Sequence, residues 1–187
     1  MVDPYASGVL QREHHDRLVA DLDNFARDAG IQPRWIYEPL PKTVSADEID
    51  YLRRFRRHIA SGDVAGLCLT RKSGIKSIDQ HMSALAGCLV RNFVRARVMT
   101  LGAVLDHLAA KDMPDLTCLL VPNFFHSAAE GGTIASWQVS ALHDLLVARA
   151  AAGLQTILYA SDLNLLGKEY GLALKGLIDA HYVKIGG

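Results

Sequence analysis

The sequence predicts an α/β fold of three layers, in which a five-stranded parallel sheet lies between helices and an N-terminal helical arm precedes it. Apolar runs of strand type alternate five times with helical patterns, and the connections between them are short. This alternation is typical of parallel strands joined by right-handed crossovers. The run at 116–121, LTCLLV, is almost continuously apolar, as in strands buried on both faces. With half of its 187 residues hydrophobic, the chain can fill one substantial core.

Charge and cysteine content limit the classes of function. Twenty lysines and arginines balance twenty aspartates and glutamates, so the net charge is zero, which argues against coating nucleic acid by bulk charge. Cys68, Cys88 and Cys118 lie in apolar segments without metal-ligand spacing, and we interpret them as buried thiols. No signal-peptide pattern and no apolar run of about 20 residues is present. We therefore expect a cytoplasmic protein with no membrane partner.

The first segment predicts an arm ahead of the core. Residues 9–28 have apolar side chains at helical spacing, and Gly30 is expected to end this helix. Residues 31–43 contain three prolines together with Trp35 and Tyr37, which predicts an extended connector with apolar anchors. The sequence thus divides into an arm and connector at 1–44 and an α/β core at 45–187. The alternative is a helix that simply packs on the main domain.

A capping box formed by Ser45 and Glu48 predicts a helix that runs to about Ser61. Its arginines suggest a contact to DNA or phosphate; they are Arg53, Arg54, Arg56 and Arg57. The alternative is a solvated helix face opposite a buried stripe.

The stretch 64–79 predicts a strand (64–69), a polar loop (70–77) and a helix that begins at Ile78. Nucleotide-binding α/β proteins build phosphate cradles from this order of elements. Gly74, Lys76 and Ser77 partly match the signature GxxxxGK[ST], but the first glycine is missing and Ile75 precedes the lysine. Arg71 and Lys72 of the same loop could hold an anion by charge.

The remaining elements follow in order. The predicted helices are 78–94, 102–110, 134–152 and 163–179, and the predicted strands are 97–101, 116–121, 154–160 and 182–185. Ligands of such sheets bind at the carboxyl ends of the strands, so the segments 70–77, 122–125 and 161–163 are the candidate site.

Six stretches of the chain resemble one family. They are AGIQPR (29–34), HMSALAGCLVR (81–91), RVMTLGAVLDHL (97–108), DLTCLLVPNFF (115–125), TILYASDL (156–163) and HYVKIGG (181–187). In order and spacing they resemble the AAA+ ATPase domain, a P-loop NTPase, of helicase loaders of the DnaC type and transposition helpers of the IstB type.

The resemblance implies positions for a nucleotide but not the groups that would hydrolyse it. Lys76 and Ser77 would meet phosphate and magnesium, with Gly74 in the loop. Pro122 and Asn123 stand where the magnesium carboxylate and general base belong, and Asp162 stands at the sensor asparagine. The arginine of the last helix has no counterpart. We expect no catalytic residue, no metal site, and no cofactor beyond weakly held ATP with magnesium.

Together these observations favour a non-catalytic AAA+-like protein that binds or regulates a partner in DNA replication or transposition. The resemblance implies a helicase, an AAA+ paralogue or a second copy of the chain as the partner, with DNA as a further candidate. Two alternatives remain open. One is a weak ATPase completed by a partner, and the other is an unrelated small-molecule enzyme with a pocket formed by His126, Ser161 and Asp162.

Overall fold

The computed structural model describes residues 2–186 and has the predicted α/β architecture. The helices are α1 (Arg12–Ala20), α2 (Leu22–Ala29), α3 (Arg34–Tyr37), α4 (Ala46–Arg53), α5 (Phe55–Ser61), α6 (Ile78–Arg91), α7 (Leu101–Ala110), α8 (Ser136–Ala151), α9 (Leu163–Glu169) and α10 (Leu172–His181). The strands are β1 (Gly66–Thr70), β2 (Ala96–Val98), β3 (Cys118–Phe125), β4 (Gln155–Ala160) and β5 (Tyr182–Ile185).

The five strands form one sheet in the order β2-β3-β4-β1-β5, and every pair is parallel. β1 is an internal strand: Gly66 is paired with Thr156 of β4 on one side and with Tyr182 of β5 on the other. The predicted five-stranded parallel sheet is therefore confirmed.

Alternate residues of the strands fill two separate cores. Leu67 and Leu69 of β1 lie in one hydrophobic cluster with side chains of α1 to α6, whereas Cys68 lies in the other with side chains of α7 to α10. This division follows from the two-residue period of a strand. The sheet is the middle of three layers, as predicted. Cys68 and Cys118 are fully buried, and burial raises the pKa of each thiol to about 12, so both stay protonated.

The N-terminal arm packs on the same face as α6. Leu18, Ala26 and Ile36 are buried in the cluster that contains Leu85 of α6. α2 ends at Gly30, which has the expected left-handed conformation with φ +68°. The expectation of an extended connector is wrong at α3, where one helical turn lies directly against α6. The arm therefore supplies part of the main core, and the division of the chain into 1–44 and 45–187 stays a prediction.

Several element boundaries differ from the predictions. The single helices expected at 9–28, 45–61 and 163–179 are each divided in two, at Asp21, Arg54 and Gly171. β2 is only three residues long, because the Thr100 side chain accepts a hydrogen bond from the Ala103 backbone N–H and starts α7. β3 extends to Phe125, so 122–125 belongs to the strand and does not follow it.

A buried hydrogen bond joins α4 to α6. The capping box at Ser45 is present as predicted, and its Glu48 carboxylate also contacts Nε2 of His81. Both side chains are 2% exposed. Burial raises the pKa of Glu48, but hydrogen bonds from His81 and Ser45 together outweigh it, so the pKa lies below its ordinary value.

The close approach of α3 to α6 depends on Gly87. A Cβ at this position would clash with the Trp35 backbone carbonyl. We expect Gly87→Ala to lower the free energy of unfolding by about 1–3 kcal/mol, measured by urea denaturation. The matched control is Gly176→Ala in α10, where no atom outside the adjacent backbone of the helix lies within 4 Å of the new Cβ. The control should raise stability by about 0.5–1 kcal/mol, and a similar gain for Gly87→Ala would contradict this account of the packing.

The Glu48–His81 pair predicts a dependence of stability on acid. A carboxyl whose pKa is lower in the folded state stabilises the fold above its unfolded pKa of about 4.5, and this contribution is lost as the pH falls through the folded value. Glu48→Gln should therefore be less stable than the parent at neutral pH, and the difference should shrink on acidification below pH 4.5. Urea denaturation across this range measures it. Glu13→Gln, exposed in the first turn of α1, is the control and should show no such trend.

Candidate functional site

The carboxyl ends of β1, β3 and β4 meet at one edge of the sheet. Backbone hydrogen bonds tie the segments that leave this edge: Ser161 N–H donates to the Phe125 carbonyl at 3.0 Å, and Arg71 N–H donates to the Ser161 carbonyl at 3.4 Å. A ligand of a parallel sheet would enter here.

The loop after β1 is a short 3-10 turn, Arg71–Ser73, that ends at Gly74. Gly74 has φ +75°, and its backbone N–H donates to the Arg71 carbonyl at 3.2 Å. That donor is therefore used within the loop. Lys76 and Ser77 are exposed, and Ser77 occupies the N-cap position of α6 without a side-chain hydrogen bond.

The end of β5 fixes the same loop from the other side. The Thr70 hydroxyl donates to the carbonyls of Ile185 and Gly186, at 3.1 and 2.9 Å. Gly186 lies so close to the backbone of Lys72 and Ser73 that a Cβ would clash with both. The loop lies between β5 and the core, and its Ile75 side chain packs against the core.

The Glu130 carboxylate connects the ends of all three strands through Ser127, Ser161 and Arg71. We call these four residues the Glu130 junction. Oε2 of Glu130 accepts from the backbone N–H and the hydroxyl of Ser127, at 2.9 and 3.0 Å, and from the hydroxyl of Ser161 at 2.8 Å. Its other oxygen forms an ion pair with Arg71. Ser127 and Ser161 are buried, whereas the Glu130 side chain is 27% exposed.

The Glu130 carboxylate would repel an anion at the carboxyl ends of these strands. The charge of Arg71, which the sequence offered as an anion contact, is already balanced by the carboxylate. A phosphate placed here would meet that carboxylate at short range. Sequence reasoning did not select Glu130, although the spacing Ser127–x–x–Glu130 is the same capping-box signal that was recognised at Ser45.

Asn123 lies inside β3, at an irregularity of pairing between Val121 and Phe125. Pro122 contributes no backbone N–H to this part of the ladder. The Asn123 side-chain oxygen accepts from the Leu101 backbone N–H at 2.7 Å and so satisfies the first turn of α7. The side chain at the position where the resemblance would expect a general base thus satisfies the start of a helix.

Asp162 begins α9. One carboxylate oxygen accepts from the backbone N–H groups of Asn164 and Leu165, at 2.7 and 2.9 Å. The Leu165 hydrogen bond and then that of Asn164 lower the pKa of Asp162, and Lys72 and Lys168 lower it further. The group is therefore a charged N-cap, as aspartate commonly is.

A cavity of about 220 Å³ lies beside β3. Asn123, His126, Gly132 and Tyr170 are among its lining residues, but Ser161 and Asp162 are not. Its volume is below the roughly 300–1,000 Å³ typical of small-molecule sites. Residues 2–186 contain no cluster of three or more metal-ligating side chains. This cavity therefore does not bring His126, Ser161 and Asp162 together, and the enzyme alternative stays a prediction.

The four helical arginines are all exposed but differ in surroundings. Arg54 pairs with Asp50 at 3.1 Å, and the Arg56 guanidinium donates to the Asn92 carbonyl at 3.3 Å. Arg53 and Arg56 line a groove between α4, α5 and α6, whereas Arg57 does not. Arg71 and the exposed Lys72 lie at the sheet edge. A contact of any of these six residues with DNA stays a prediction.

The comparisons with known proteins leave the family resemblance a prediction. The chain matches no family model, and no curated protein matches it. Within residues 2–186, no helix combines the length and apolarity needed to cross a bilayer.

The junction predicts unequal effects for its two charged partners. Glu130→Ala removes the acceptor of two buried hydroxyls, so it should lower the free energy of unfolding by about 1–3 kcal/mol. Arg71→Ala removes a side chain that is 65% exposed, and should cost less than about 1 kcal/mol. Thermal and urea unfolding of both variants test this. Equal losses would show that the ion pair, and not the serine hydrogen bonds, carries the stability of the junction.

Proposed function

We propose that this chain is a non-catalytic, AAA+-like binding or regulatory module, related to bacterial helicase loaders and transposition helpers. The observation that carries the proposal is the Glu130 junction. It occupies the edge of the sheet where an AAA+ ATPase would hold the phosphates of its nucleotide, and it fills that edge with a carboxylate and a compensated arginine.

The sheet topology supports the AAA+ likeness. When the strands are listed starting from β5, the order is β5-β1-β4-β3-β2, which agrees with the sheet order of AAA+ ATPases. It differs from the orders 3-2-1-4-5-6 and 2-1-3-4-5 of the two common doubly wound nucleotide folds, in which β1 does not pair with β4 and β5 together. The strand before the degenerate loop and the strand before Asp162 are neighbours, as the resemblance requires.

The chemistry of the edge supports a non-catalytic role. Hydrolysis of a nucleotide needs a magnesium ligand and a group that positions or deprotonates water. Asn123 is neutral and hydrogen-bonded to α7, and Asp162 is committed to the start of α9. Lys76 and Ser77 remain exposed, so weak binding of ATP with magnesium is the one nucleotide-related property that we expect of this chain.

The biological setting rests on the resemblance. It implies replication or transposition of DNA, with a helicase, an AAA+ paralogue or a second copy of the chain as partner. A protein with no net charge is suited to such protein contacts better than to nonspecific coating of DNA.

Titration with ATP and magnesium tests the proposal. We expect calorimetry to detect no binding tighter than about millimolar, with and without single-stranded DNA, and no phosphate release above the rate of the buffer. Lys76→Ala should leave both results unchanged, and so should the control Lys42→Ala, an exposed lysine outside the edge.

A contrary result has a clear form. Micromolar binding of ATP with magnesium, or phosphate release, that disappears in Lys76→Ala and persists in Lys42→Ala would establish an ATPase and overturn the proposal. If turnover requires an added partner subunit, the partner-completed ATPase is the correct alternative.

A further inference from the structure

We propose that the groove between α4, α5 and the end of α6 binds an amphipathic helix of a partner protein whose apolar side chains are flanked by carboxylates. This inference depends on the proposed function only in treating the chain as a binding module, because the groove is separate from the Glu130 junction. The groove has a volume of about 380 Å³, within the range of ligand-binding clefts.

The walls of the groove come from three parts of the chain. The connector supplies Leu40, and the helix pair α4–α5 supplies one wall. The opposite wall is the last turn of α6 and the residues after it. The apolar lining residues are Leu40, Ile49, Leu52, Phe55, Leu89 and Val94.

This lining is incompletely covered by the chain itself. Phe55 and Leu89 are buried at 3% exposure and form the floor, whereas Leu40, Leu52 and Val94 are only partly buried. Apolar side chains from successive turns of a helix would remove this surface from water. A groove between helices with such a floor is the usual receptor for an amphipathic helix.

Charge selects the kind of helix. Two of the lining residues are arginines and none is a carboxylate. The Arg53 side chain has no ion pair or hydrogen bond with any other residue in the described range 2–186, and the Arg56 guanidinium donates to the Asn92 carbonyl at the end of α6. Guanidinium groups that have no ion-pair partner at a groove rim favour carboxylates, which they bind in a bidentate manner.

The partly buried apolar side chains of the groove distinguish this partner from a nucleic acid. A phosphate backbone would use the arginines but would leave the partly buried leucines and valine in contact with water. The zero net charge of the chain also gives little general attraction for a polyanion. The combination of floor and rim therefore favours an acidic helix over DNA.

A synthetic peptide provides a direct test. The probe is a fluorescein-labelled helix of about four turns with leucines at i, i+3/i+4 and i+7 and glutamates on both sides of the leucine stripe. Two matched peptides replace all glutamates by lysine or all leucines by serine. We expect the acidic leucine peptide to bind at least about tenfold more tightly than either control, as measured by fluorescence anisotropy without nucleotide.

Two variants of the protein localise the binding. Arg53→Glu should weaken the acidic peptide by at least about tenfold and improve the lysine peptide. Arg57→Glu makes the same change of charge at an exposed residue of α5 outside the groove lining, and should alter affinity less than about threefold. Circular dichroism checks that both variants keep the parent fold.

Cys88 provides an independent test of whether the peptide occupies the groove. It lines the groove and is partly buried, whereas Cys68 and Cys118 are fully buried, so a thiol reagent applied to the native protein reports on Cys88. Bound peptide should slow its alkylation by iodoacetamide, located by mass spectrometry. Unslowed alkylation at saturating peptide would place the peptide elsewhere and overturn the proposal.

Other outcomes also overturn it. They are failure of the acidic peptide to bind, equal binding of the acidic and lysine peptides, or equal effects of Arg53→Glu and Arg57→Glu. Tighter binding of a single-stranded oligonucleotide that competes at the groove would assign the arginines to DNA. None of these results would alter the case for a non-catalytic nucleotide edge, which is decided by the ATP titration.

Discussion

The carboxylate of Glu130 determines what the open edge of the sheet can do. Parallel strands that end together leave a crevice, and ligands of such proteins use it. Here the crevice contains an acceptor that two buried serine hydroxyls and one backbone N–H require. Buried hydroxyls without an acceptor are costly, so the carboxylate and its donors stabilise one another. A phosphate could enter only by displacing this arrangement, and the displaced carboxylate would repel it.

The same rule applies to the other polar residues at this edge. Asn123, Thr100 and Asp162 satisfy backbone N–H groups at the starts of α7 and α9. The Thr70 hydroxyl fixes the end of β5. Groups that could have held a ligand are used to begin helices or to join strands. Arg53 and partly buried apolar side chains lie instead along the groove beside α4 and α5, where we propose that a partner binds.

Local signals in the sequence predicted much of this fold, and contacts across long separations explain what they missed. Apolar runs gave the strands, and the spacing Ser45–x–x–Glu48 and the position of Gly30 gave correct helix ends. The predicted end of β3 was wrong because Pro122 is tolerated at an irregular point of the ladder. The hydrogen bond of Glu48 with His81 and the ion pair of Glu130 with Arg71 depend on packing of distant segments, which no local pattern encodes. The prediction of an extended connector was wrong because Gly87 lets one helical turn, α3, fit against α6.

Zero net charge has a consequence for how a partner can be selected. A molecule without a strong overall field does not steer its partner from a distance, and exposed charges are screened beyond about 8 Å in physiological salt. Selection must therefore occur at contact distance. In the groove beside α4 and α5, burial of apolar side chains would supply most of the affinity, while Arg53 and Arg56 would discriminate between partners of opposite charge. Raising the salt concentration should consequently weaken discrimination between acidic and basic helices more than it weakens binding itself, because apolar burial is not screened.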